Sequence, residues 1–173
     1  FSEDINFEEV TTVAEIGGGF GANTHLMLKL FPNIKTYFYI DISPNLYIST
    51  EYLRSFFGKS VHDYKETKGK DKIISNNNNE LNIFCIPTWQ IHNIPNNSIN
   101  LFHGANIFTD IPTDTIANLA SNIIRILSRG GNIAFQSLGA ESGTEILDSD
   151  LLISNFKNYL FTTKIKENLF NKN

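Results

Sequence analysis

A mostly parallel α/β sheet with helices on both faces is the fold this sequence predicts. Three observations lead there: an apolar strand stopped by a run of glycines, a helical pattern and second strand directly after it, and short strands that return later around another helix. At 173 residues the chain is expected to form a single domain over 1–173. With 41% hydrophobic, 12% aromatic and 18% charged residues it reads as globular, since disordered chains carry more charge and fewer aromatics. A net charge of −4 weighs against a nucleic-acid partner, which rewards a basic excess. No apolar run is long enough for a membrane span. The single Cys85 excludes an internal disulfide, and a reduced, cytoplasmic setting is expected. The opening Phe1-Ser2-Glu3-Asp4 has no initiator Met and suits an excised or processed piece.

The elements follow in order. Val13 to Ile16 is an apolar strand ended by Gly17-Gly18-Gly19-Phe20-Gly21. Asn23 or Thr24 is expected to cap the next helix, on which Leu26, Leu28, Leu30 and Phe31 form an apolar surface up to Pro32-Asn33. Lys35 to Ile40 is β-branched and aromatic, a second strand finishing at Asp41. Ser43-Pro44 opens a helix, with Ser43 as cap and Pro44 at its first position, and Gly58 closes it. From about 59 to 80 the pattern dissolves into a polar, Lys- and Asn-rich insertion. Leu81 to Ile86, Ile99 to His103 and Asn132 to Gln136 are the third, fourth and fifth strands. Between the last two, Ile116, Leu119, Ala120, Ile123, Ile124 and Leu127 share a helical face, and Arg129-Gly130-Gly131 turns the chain. Asp148 to Asn155 is expected as a helix and Tyr159 to Ile165 as a sixth strand.

The glycine loop is ambiguous alone. Gly17, Gly19 and Ala22 satisfy the dinucleotide pattern G-x-G-x-x-G/A, while Gly17, Gly19 and Gly21 satisfy the G-x-G-x-G loop of S-adenosylmethionine binders. Glu15 separates the two. A carboxylate beside the loop repels a pyrophosphate but suits a ligand with a cationic end, and burying it costs several kcal/mol (about 3–5) unless it is paired. Its plain structural alternative is to alternate out to solvent or a lysine. Asp41, at the end of the second strand, is placed to accept from a ribose diol, or else to cap the following helix.

Val13-Ala14-Glu15-Ile16-Gly17-Gly18-Gly19-Phe20-Gly21 and Tyr39-Ile40-Asp41-Ile42-Ser43 resemble the first two motifs of class I S-adenosylmethionine-dependent methyltransferases. Leu127 to Ile133 resembles the glycine turn into that fold's fifth strand. More narrowly, Leu30-Phe31-Pro32-Asn33-Ile34, Pro44-Asn45-Leu46-Tyr47 and Ile86-Pro87-Thr88-Trp89-Gln90 look like the sugar O-methyltransferase family, with Thr88 standing in place of a second proline. The resemblance covers residues 13 to 136. It implies a Rossmann-like sheet of seven strands, S-adenosyl-L-methionine as cofactor and a small-molecule or saccharide acceptor.

By the same resemblance, Glu15, Gly17, Gly19 and Gly21 would hold the methionine portion, Asp41 the ribose, and Ile42 the adenine. Gln90, or backbone beside it, would meet the adenine amine, with Trp89 either stacking or filling the core. A sugar hydroxyl is a weak nucleophile, so a base is sought. His103, followed by Gly104-Ala105-Asn106, is one candidate, and Glu141 in Gly139-Ala140-Glu141-Ser142-Gly143 is a second. Asp110 and Asp114 beside Pro112 read as helix caps, and His25, His62 and His92 show no metal-ligand spacing. The rivals are an NAD-dependent oxidoreductase using Gly17, Gly19 and Ala22, and a non-catalytic methyltransferase-like scaffold or fragment. The short leader before the first strand and the end near the sixth suggest a fold truncated at both ends. The sequence sets no oligomeric state.

Overall fold

Side chains on a strand alternate between faces, and here that alternation divides the sheet into two packed layers. The computed structural model describes residues 5–75, 79–105, 113–136 and Phe156. Its strands are β1 (Thr12–Ile16), β2 (Thr36–Asp41), β3 (Val61–His62), β4 (Asn82–Pro87), β5 (Ile99–Ala105) and β6 (Leu127–Gln136). The helices are α1 (Ala22–Leu30), α2 (Asn45–Phe57), α3 (Tyr64–Thr67) and α4 (Thr113–Ile126). The strand order is β3-β4-β2-β1-β5-β6, and every neighbouring pair is parallel. Parallel strands need crossovers, which the helices supply.

Ala14, Ile16, Phe38, Ile40, Phe84, Ile86 and Phe102 fill one face, against Ala120, Ile123 and Ile126 of α4. Val13, Tyr37, Tyr39, Ile83, Cys85 and Leu101 fill the other, against Met27 and Leu28 of α1 and Leu53 of α2. The second face is the unusual one, because Glu15 and His103 share it with two tyrosines.

Several boundaries differ from the sequence reading. Gly21, not Asn23 or Thr24, is the N-cap of α1, and no side chain bonds its first turn. Asn23 and Thr24 lie inside that turn with their side chains on Glu15 instead. Leu26 and Leu30 are exposed, and α1 packs through Thr24, Met27 and Leu28. Pro44 rather than Ser43 occupies the N-cap of α2, while Gly58 closes it as expected.

The expected insertion is partly built into the sheet. β3 pairs with β4 through Val61↔Ile83 and His62↔Phe84. Asp63 then starts α3 with a capping box, in which its side chain accepts from the Lys65 and Glu66 N–H groups and the Glu66 side chain accepts from the Asp63 N–H. Ile73 is fully buried beyond α3. A two-residue strand is too short for a periodic signal, which is why sequence reasoning passed over it. β5 runs on through Gly104 and Ala105, and β6 absorbs the glycine turn as an irregularity after Leu127, with Gly130 at φ 77°. The expected helix at 148–155 and strand at 159–165 lie outside the described residues.

Candidate functional site

β1 delivers the chain to its C-terminal edge, where it turns through the glycine loop between the ends of β2 and β5. Gly17, Gly19 and Gly21 take φ of 71°, 62° and 93°. That conformation costs a residue bearing a Cβ about 1–2 kcal/mol. Gly18 is needed for a different reason. A Cβ there would lie 2.5 Å from Tyr39 Cε2 and 2.9 Å from Glu15 Cδ, so the loop backbone rests directly on the acid. Sequence reasoning chose the other three glycines and missed this one.

Glu15 does not alternate out to solvent; it is 3% exposed. Asn23 Nδ2 donates to its Oε1 at 2.9 Å, the Tyr37 hydroxyl donates to Oε2 at 2.9 Å, and the Thr24 hydroxyl makes a short bond to Oε2. Three donors offset the desolvation of a buried carboxylate. Register explains the arrangement: Glu15 pairs with Tyr39 on β2 and with His103 on β5. Tyr37 lies two residues before Tyr39 on the same face, and its hydroxyl also meets His103 Nε2 at 2.9 Å. Tyr37 was not foreseen. Its signal was available in the spacing Tyr37, Tyr39, Asp41 along one strand.

Burial, reinforced by the Glu15 charge, holds the Tyr37 hydroxyl well above the ordinary tyrosine range, so it stays a neutral donor. Burial likewise raises Tyr39, with Ser49 opposing and Asp41 adding to the rise. Burial pushes His103 below the ordinary histidine value, and the pull of Glu15 only partly opposes it. The 4.0 Å approach of His103 Nδ1 to Glu15 Oε1 is therefore a neutral imidazole beside a carboxylate rather than an ion pair.

Asp41 is buried at the end of β2. Its Oδ1 accepts from the Ile42 N–H at 2.7 Å and its Oδ2 from the Tyr39 hydroxyl at 2.9 Å. It does not cap α2, and each oxygen keeps lone-pair capacity for a further donor. Tyr39 also meets the Gly19 carbonyl at 2.5 Å, which ties the loop to the strand holding Asp41.

Ile42 is 57% exposed and Trp89 61%, and they follow the ends of adjacent strands β2 and β4, where Asp41 pairs with Pro87. Trp89 is thus no core aromatic; its ring meets Tyr64 edge-on at 6.2 Å. Gln90 turns inward, where its amide donates to the Thr67 carbonyl at 3.1 Å and accepts from the Thr67 hydroxyl at 2.9 Å. Glu141 and Asp110 lie outside the described residues. The arrangement as a whole presents a buried carboxylate under the glycine loop, a second buried carboxylate at the neighbouring strand end, and two exposed apolar side chains just past the ends of β2 and β4.

No family model matches the chain, and no curated protein matches it. Solved structures do. A SAM-dependent methyltransferase from Aquifex aeolicus superposes with a TM-score of 0.58 at 14% identity, over 91% of this chain and 75% of that one. StiE O-MT gives 0.57 at 16% identity, over 90% of this chain and 47% of that one. The mitomycin 7-O-methyltransferase MmcR gives 0.55 at 16%, over 88% of this chain, which spans only 39% of its length. On these likenesses the chain carries the Rossmann-like methyltransferase fold.

Proposed function

We propose that the chain is the donor-binding part of an S-adenosylmethionine-dependent O-methyltransferase acting on a sugar hydroxyl. The observation that carries the reading is the pair of buried carboxylates, Glu15 and Asp41, at neighbouring strand ends under a loop that side chains do not obstruct. They fit an adenosine with a cationic tail. Asp41 would accept from the ribose diol, while Ile42 and Trp89 offer apolar surface to the adenine. The inward turn of Gln90 leaves the adenine amine to backbone near Trp89. Glu15 acts through its field and through the loop that lies on it. The α1 first turn, without a side-chain cap, complements the carboxylate of an amino acid.

S-adenosylmethionine supplies an activated methyl on a sulfonium, so positioning does much of the work. The residues described here hold and orient; Gly17, Gly19 and Gly21 shape the loop. For the acceptor's proton the chain offers Glu141, and the one ring nitrogen of His103 that Tyr37 leaves open, Nδ1. Oxygen as the nucleophile that takes the methyl agrees with the names of the mitomycin 7-O-methyltransferase and StiE O-MT. The sugar rests on the resemblance carried by Leu30 to Ile34, Pro44 to Tyr47 and Ile86 to Gln90.

Transfer of a labelled methyl from S-adenosylmethionine to a panel of sugars, phenols and amines tests this. Label on sugars, lost in Asp41→Ala, is the expected result. Label on phenols or amines alone would replace the acceptor while keeping the donor.

A further inference from the structure

Tyr39 touches both halves of the site. Its ring lies where a Cβ on Gly18 would meet it at 2.5 Å, and its hydroxyl lies 2.5 Å from the Gly19 carbonyl and 2.9 Å from Asp41 Oδ2. A carbonyl and a carboxylate only accept, while a phenol has one proton to give. Two acceptors therefore compete for one donor, and the loser faces the phenol oxygen lone pair to lone pair. Burial holds the Tyr39 hydroxyl above the ordinary tyrosine range, with Ser49 opposing and Asp41 adding to the rise, so the proton stays on the phenol whichever partner it serves. Asp41 Oδ1 already accepts from the Ile42 N–H.

Which acceptor wins depends on what else Asp41 is given. Alone, the carboxylate is roughly twice as strong an acceptor as a carbonyl. The Gly19 carbonyl then meets the phenol oxygen at a spacing that only a hydrogen bond tolerates. Once another hydroxyl donates to Asp41, the pull of the carboxylate on the phenol proton falls and the carbonyl takes it. Gly19 has room to respond, since a Cβ there would meet nothing within 4 Å.

We propose that Tyr39 is a positioning residue whose single proton turns from Asp41 to the Gly19 carbonyl when a diol donates to Asp41, so that seating the ribose fixes the glycine loop. This rests on the S-adenosylmethionine reading, in which Asp41 takes the ribose. It adds an order to it: the nucleoside end seats first and firms the loop on which the methionine end is laid.

Carbonyl-carbon NMR at Gly19 reads which acceptor holds the proton, because a carbonyl carbon moves downfield when its oxygen accepts a hydrogen bond. Saturating adenosylhomocysteine should move the Gly19 signal downfield in the wild type. Tyr39→Phe keeps the ring under Gly18, and there the ligand should bind without that movement. Asp41→Asn should show the downfield position with no ligand present, since a neutral amide competes weakly for the phenol proton. A merely structural Tyr39 would leave the Gly19 signal alike in the ligand-free wild type and ligand-free Asp41→Asn. That result, or an equal ligand shift in the wild type and Tyr39→Phe, would overturn the proposal and leave the donor reading standing. A wild type that binds no adenosylhomocysteine overturns the donor reading and this role together.

Discussion

Glu15 sets the chemistry of the site, and the residues around it show what a strand pattern reveals. Its presence in an otherwise apolar strand marks it as a candidate, as the place of Asp41 at a strand end does for that residue, and both carboxylates are buried. What stayed hidden were the partners of Glu15, because Tyr37 is twenty-two positions away and His103 sixty-six beyond Tyr37, brought together only by the register of three strands. His103 carries a pH signature. Its proton affinity is depressed in the folded chain by burial. The stability it contributes is therefore whole above the unfolded-chain value of about 6.5 and is lost as pH falls through the lower folded value. Urea titrations should show the wild type losing more stability than His103→Gln below about pH 6.5. A wild-type-minus-variant difference that stays constant from about pH 8 down to about pH 4.5 contradicts this.

Among the elements, the loop between β1 and α1 was the most legible, since glycines at 17, 19 and 21 announce a left-handed turn. Gly18 was not, because close approach depends on Tyr39 and Glu15, which no local pattern connects. Gly18→Ala should destabilise the fold by about 1–3 kcal/mol, as overpacking does, since neither the strand-borne Tyr39 ring nor the bonded Glu15 can yield cheaply. Chemical denaturation reads the loss; a variant as stable as the wild type would show that the loop does not rest on the acid. Helix starts were read one to three positions away from where they fall; in α1 this is because Asn23 and Thr24 are good caps by type but are drawn inward to a buried carboxylate. The β3 strand escaped because two residues give no period, and its place at the edge depends on pairing with β4.

At the scale of the molecule, the parallel α/β class was legible because each β–α unit repeats the same alternation, while the strand order emerges only from the pairing of the strands. The two faces divide the labour: one is an aliphatic and phenylalanine core against α4, the other buries the carboxylate–tyrosine–histidine cluster beneath α1 and α2. That asymmetry puts polar chemistry at the strand ends without opening the core. The central claim is that this cluster and Asp41 receive a nucleoside with a positively charged tail. Titration calorimetry with adenosylhomocysteine and with NAD tests it most directly. The account predicts that adenosylhomocysteine binds, that NAD does not, and that Glu15→Ala and Asp41→Ala each weaken binding by about 1–3 kcal/mol. Binding of NAD alone, or adenosylhomocysteine affinity indifferent to both substitutions, would contradict it.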